Sequence, residues 1–187
     1  MFIQTEETPN PATLKFIPGV EVMSSGTANF PTEEMAARSP LAAHLYTIDG
    51  VRGVFFGYDF ISITKDDDKD WVVLKPALLG AIMEHFTAGR PLFVEDDAPA
   101  PSAPAADEGE DDEIVGQIKE LLDTRVRPAV AQDGGDIIYH GFKEGVVYLH
   151  MQGACAGCPA STMTLKAGIE NLMRHYIPEV QAVEAIN

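Results

Sequence analysis

Cys155 and Cys158 are the only two thiols in the 187-residue chain, set in Gln152-Gly153-Ala154-Cys155-Ala156-Gly157-Cys158-Pro159. Two small residues between them let both sulfurs face one centre, the arrangement that zinc and iron–sulfur sites require. Gly153 and Gly157 carry no bulk, so backbone N–H groups can approach such a centre and donate to its sulfurs. Cys158 stands at the expected N-cap of a helix, with Pro159 at the first helical position. A helix N-terminus brings partial positive charge and unpaired N–H groups, which favour thiolate over thiol and offset the negative charge of a thiolate-ligated metal.

Two thiolates do not fill a site that takes four protein ligands. His140 and His150 fall on neighbouring strands and His175 far along the following helix, and all three read as packing or surface residues. A twofold axis through two copies supplies the missing pair, giving four thiolates from two identical loops. A site held that way opens when the copies part, which suits delivery better than storage. Two other chemistries fit the same spacing. One is thiol–disulfide exchange, since CxxC at a helix N-terminus is also a redox motif; against it, an antiparallel hairpin precedes the loop where a βαβ pattern is expected. The other is a structural zinc module joining two chains.

The elements around the loop are legible from periodicity. Ile114, Ile118, Leu121 and Leu122 recur at helical spacing, and Pro128 ends or kinks that helix. Asp133-Gly134-Gly135-Asp136 is a turn, the paired glycines supplying positive φ. Segments 137–142 and 146–151 form a hairpin across Lys143-Glu144-Gly145. After the cysteine loop a helix carries Leu165, Ile169, Leu172, Met173 and Tyr176 on one side, Pro178 stops it, and segment 180–186 adds a final strand.

The first half reads as a separate small α+β domain. Leu14 and Phe16 mark a strand after a turn at Pro9-Asn10-Pro11. Ser39 and Pro40 open a short helix through Leu45. Segments 51–56 and 60–64 form a hairpin with Ile61 and Ile63 on one face. A helix is predicted from about Asp70 to Thr87, with a kink or a later start at Pro76. His44, His85 and Trp71 read as packing residues, and no cluster of acid–base candidates is present, so the chain is not expected to be an enzyme.

The formal net charge is −16, concentrated in segment 95–113, which holds nine acidic residues and no basic one; the remainder carries −7. No basic stripe exists, which excludes nucleic acid as a partner. No run of about 18 apolar residues exists to cross a membrane. The segment DDAPAPSAPAADEGEDD offers little to bury and reads as an extended tether. The expected organisation is therefore two small α+β domains: residues 1–95, a linker over 96–112, and residues 113–187. The N-terminus has neither a basic region with an apolar core nor an Arg- and Ser-rich stretch, so a reducing compartment is expected.

DTRVRPAVAQDGGDIIYHGF and VVYLHMQGACAGCPASTMTLKAGIE resemble the C-terminal domain of Nfu (NifU-like) iron–sulfur cluster scaffold proteins. MFIQTEETPNPATLKFIPG and DWVVLKPALLGAIMEHF resemble the N-terminal domain of the same family. The resemblance covers nearly the whole chain outside the linker. It implies a [4Fe–4S] cluster bridging a homodimer, ligated by Cys155 and Cys158 of each copy, with a two-iron form left open. It also implies a cluster donor in the assembly machinery and recipient apoproteins as acceptors. No mitochondrial presequence precedes Met1, so the expected place is the bacterial cytoplasm, or the mitochondrial matrix if a presequence has been removed.

Overall fold

A computed structural model describes residues 1–94, 112–156 and 159–186. The linker reading over 96–111, and the readings of Gly157 and Cys158, lie outside the described residues. The chain divides into two compact α+β units, Met1–Ser102 and Ala103–Asn187.

The N-terminal unit is built on an antiparallel sheet in the order β1-β2-β5-β4-β3. Its strands are β1 (Gln4–Glu7), β2 (Thr13–Ile17), β3 (Ala28–Phe30), β4 (Val51–Phe56) and β5 (Ile61–Lys65). The predicted hairpin is β4–β5, closed by the Gly57 N–H donating to the Phe60 carbonyl at 2.9 Å. Helices α1 (Glu33–Ala36), α2 (Pro40–Tyr46) and α3 (Trp71–Thr87) complete the unit. Ser39 caps α2 as expected, its hydroxyl accepting from the Ala42 N–H at 3.2 Å. Phe16, Phe30, Phe56, Leu41, Leu45, Ile61, Ile63, Leu78 and Ile82 are fully buried and form the core.

Pro76 does not delay α3, which starts at Trp71 under an Asp70 cap and runs through the proline. The proline leaves the Val72 carbonyl without its helical donor, and Val72 is exposed, so water can take that place. Trp71 is half-buried against this core and donates its indole N–H to the Pro11 carbonyl at 3.2 Å, agreeing with a packing role.

The C-terminal unit begins with α4 (Asp112–Leu121), continues through a π-helical stretch Leu122–Val126, and passes into α5 (Arg127–Gln132). The expectation that Pro128 ends or kinks this helix is met differently. The wider π turn just ahead absorbs the proline, so helical backbone continues to Gln132. Strands β6 (Gly135–Lys143) and β7 (Val146–Gly153) form the expected hairpin, with Glu144 and Gly145 both at positive φ, 51° and 79°. That is the backbone a two-residue hairpin loop demands. The register slips between Tyr139 and Gly141, leaving His140 at a bulge.

After the cysteine loop come α6 (Pro159–Tyr176) and β8 (Ala182–Ile186), and β8 pairs parallel to β7. Alternate residues Val147, Leu149 and Met151 of β7 point into a core that also takes Ile118, Ile169, Met173 and Val183. Ile169 and Met173 are buried as expected, with Leu165 and Leu172 packed beside them. Tyr176 is not: it is 50% exposed, with the Arg125 guanidinium 6.0 Å from its ring.

Candidate metal centre

The cysteine loop is made where β7 ends. Gly153 takes φ +64°, a turn only glycine makes without strain, and the chain leaves the sheet. The Ala156 N–H then donates to the Gly153 carbonyl at 3.1 Å, and the Ala154 N–H to the Gly134 carbonyl at 3.1 Å. The second bond ties the loop to the turn that precedes β6. Of the two glycines there, only Gly134 has positive φ, +81°. Gly135 is needed for space. A Cβ on it would lie 2.6 Å from the Cys155 Sγ and 2.7 Å from the Gln152 carbonyl oxygen. Thr162, on the first turns of α6, donates its hydroxyl to the Cys155 carbonyl at 3.1 Å and holds the loop from the other side.

Asp136 anchors this assembly from below. It is 3% exposed and receives a two-pronged ion pair from Arg127, Nε to Oδ1 and Nη2 to Oδ2, each at 2.9 Å. Its Oδ1 also accepts the Ile137 N–H at 2.8 Å, and Arg127 reaches Asp123 through Nη1 at 3.1 Å. The carboxylates hold the Arg127 guanidinium above its usual range, the Asp136 hydrogen bond first among the causes. The result is a clamp between α5 and β6, one residue from Gly135. Arg127 did not stand out in the sequence, and Asp136 stood out only as the last residue of a turn. The available signal was an acidic residue entering a strand whose next positions are apolar, which demands a buried partner.

Cys155 itself is 5% exposed and packs in the C-terminal core. Burial, reinforced by Asp133 and Asp136, pushes its thiol up to about 12. The thiolate preference expected from the helix N-terminus belongs to Cys158, whereas burial favours the neutral thiol at Cys155. The helix N-terminus expected to act on the pair begins at Pro159, beside Cys158, which lies outside the described residues. His140 and His175 are exposed and His150 is half-buried, and none joins Cys155. Among the described residues, no group of three or more His, Cys, Asp or Glu side chains could hold a metal ion.

The antiparallel β6–β7 hairpin precedes the loop, as expected. The loop itself joins β7 to α6, and with β8 parallel to β7 these form a βαβ unit. Against a redox role stands the burial of Cys155, since a redox pair needs an accessible leading thiol.

The N-terminal half, residues 3–89, matches the family described as scaffold protein Nfu/NifU N terminal, and residues 118–184 match the NifU-like domain. The human protein named "NFU1 iron-sulfur cluster scaffold homolog, mitochondrial" is 54% identical over 187 residues, spanning all of this chain and 72% of its own length. "NifU-like protein 4, mitochondrial" from Arabidopsis thaliana is 54% identical over 98% of this chain and 65% of its own. A solution structure of a NifU-like protein from Saccharomyces cerevisiae aligns with 51% of this chain and 86% of its own, at TM-score 0.42 and 25% identity. With both halves matched in order, the chain belongs to the Nfu/NifU family, a family of scaffold proteins and not of enzymes.

Proposed function

We propose that this scaffold carries a [4Fe–4S] cluster as cargo, held between two copies by Cys155 and Cys158 of each, and hands it to recipient apoproteins. The observation that carries the reading is the half-site: a two-thiol loop, in a chain of this family, with no further ligand gathered beside Cys155 among the described residues. Four thiolates from two loops complete the ligation of one four-iron cluster. Delivery is ligand exchange. Thiolates of an acceptor displace Cys155 and Cys158 stepwise as the copies part, and no acid–base catalyst is called for. On release, the Cys155 thiolate takes up a proton from water and can return as a thiol to the pocket against Gly135.

The division of labour proposed for the chain is residues 1–95 as a docking module, 96–112 as a tether, and 113–187 as the cluster-binding domain. The donor is the assembly machinery. The matched relatives are named as mitochondrial, and a reducing compartment, the mitochondrial matrix or the bacterial cytoplasm, suits free thiols.

Anaerobic reconstitution with iron and sulfide tests the reading. The expected result is a brown protein with about four irons per pair of chains, abolished by Cys155→Ser or Cys158→Ser. A Cys155→Ser protein that loads fully would sink it.

A further inference from the structure

Helix α3 carries three local costs on one face, and nothing among the described residues of the N-terminal unit offsets them. Val72 and Val73 are 79% and 75% exposed, although β-branched residues are poor helix formers and gain nothing there from burial. Pro76 sits inside the helix and removes a hydrogen bond. Gly80 lies mid-helix, where alanine would be more stable, yet a Cβ on it would meet no atom within 4 Å. At 100° per residue these positions fall together with Ala77 and Met83, both exposed, opposite the buried Leu74, Leu78, Ala81 and Ile82. The outward arc is apolar but for Glu84 and Thr87, and its centre, at Gly80, is small enough for a second backbone to come close.

The charges at the ends of the face say what fits it. Asp67, Asp68 and Asp70 precede the helix, all exposed, and Glu84 stands near its far end. Lys69 pairs with Asp49 at 2.6 Å and Glu84 with Arg90 at 3.2 Å, so the excess negative charge lies at the start of the helix, while Lys75 sits half-buried on its flank, outside the outward arc. An anionic lipid surface is repelled by this acidic end, and two copies laid face to face in parallel set it against itself.

We infer that the exposed face of α3 is a docking site for an amphipathic helical segment of a partner protein, apolar on one side and carrying lysine or arginine at its margins. This deepens the docking role proposed for the N-terminal unit and does not depend on the cysteine pair. The partner's apolar side covers Val72, Val73 and Met83, its backbone approaches at Gly80, and its basic margin meets Asp67, Asp68 and Asp70 at the start of the helix.

The full chain is titrated in about 0.15 M salt against a fluorescent 18-residue peptide with leucine along one helical stripe and lysine elsewhere. A twin peptide with glutamate for lysine, and vesicles containing phosphatidylserine, are titrated in parallel. The leucine–lysine peptide is expected to bind, at least tenfold more tightly than its glutamate twin and without vesicle binding. Val72→Asn with Val73→Asn should weaken it at least tenfold while leaving cluster loading intact. Gly80→Leu should raise the melting temperature, as a better helix former, yet weaken the peptide. No peptide binding, equal binding of both peptides, indifference to the asparagine pair, vesicle binding, or self-association through this face would each overturn the inference. A loss of cluster loading in Cys155→Ser with peptide binding unchanged separates this site from the cluster reading.

Discussion

The two units spend their sequence differently. The N-terminal unit buries phenylalanines on an antiparallel sheet, and its buried polar residues, Asn10, Thr13, Lys15, Ser39, Ser62 and His85, are spread through it. The C-terminal unit has a three-stranded sheet, a smaller core, and at its most constrained point a buried ion pair and a buried thiol. The first is stabilised chiefly by packing of a large apolar core. The second holds one loop in place through a few directional contacts, so single atoms there matter more than volume. The contrast teaches where each kind of damage should appear.

The largest expected effect lies in the N-terminal unit. Phe56 is fully buried and meets Phe30 edge-on at 5.1 Å. Phe56→Ala should cost about 3–5 kcal/mol, read in denaturant unfolding as a loss confined to the first of two transitions. A shift of both transitions would show that the units do not unfold separately.

In the C-terminal unit, Arg127→Leu leaves Asp136 buried without its partner. Breaking a fully buried pair costs about 3–5 kcal/mol; Arg127 is partly exposed, so about 2 kcal/mol is expected. Asp136→Asn in the same background should recover part of it, because the stranded charge is gone. No recovery would mean that Arg127 acts through packing.

Gly135→Ala probes the close approach to Cys155. The Gln152 carbonyl is backbone and cannot swing away, so overpacking of about 1–3 kcal/mol follows, together with reduced cluster loading. A Gly134→Ala comparison probes backbone strain instead, since that position has φ +81°.

The smallest effect concerns His85, which is 2% exposed with its Nε2 unpartnered. Burial, then Arg90 and His44, lower its pKa. The unfolded chain therefore takes up the proton first as pH falls below about 6.5. Stability of the N-terminal unit is full above that value and declines below it, until the folded imidazole also protonates. His85→Leu should flatten the decline between pH 6.5 and 5 in thermal melts; an unchanged slope would assign it to other groups.

What the sequence made legible follows the same division. The β4–β5 and β6–β7 hairpins, the Ser39–Pro40 helix start and the α6 stripe through Ile169 and Met173 all carry strong local signals. Strand β1, Gln-Thr-Glu-Glu, had none, since an edge strand with this polarity shows no apolar alternation. Strand β3 and helix α1 are too short for any period to register. At the site, spacing identified the cysteines and turn chemistry identified Gly134. The burial of Cys155, the spatial demand on Gly135 and the Arg127–Asp136 clamp depend on contacts between segments far apart in the chain or on opposite sides of a turn. No local pattern encodes those.

In the proposed function each chain supplies half of one site. Native mass spectrometry of an anaerobically reconstituted sample, with iron and sulfide measured on the same material, tests this. The cluster-bearing species is expected to be a dimer with about four irons and four sulfides, and metal-free protein to appear when the dimer is split. A cluster carried by a single chain, or a dimer holding zinc and refusing iron, would contradict it.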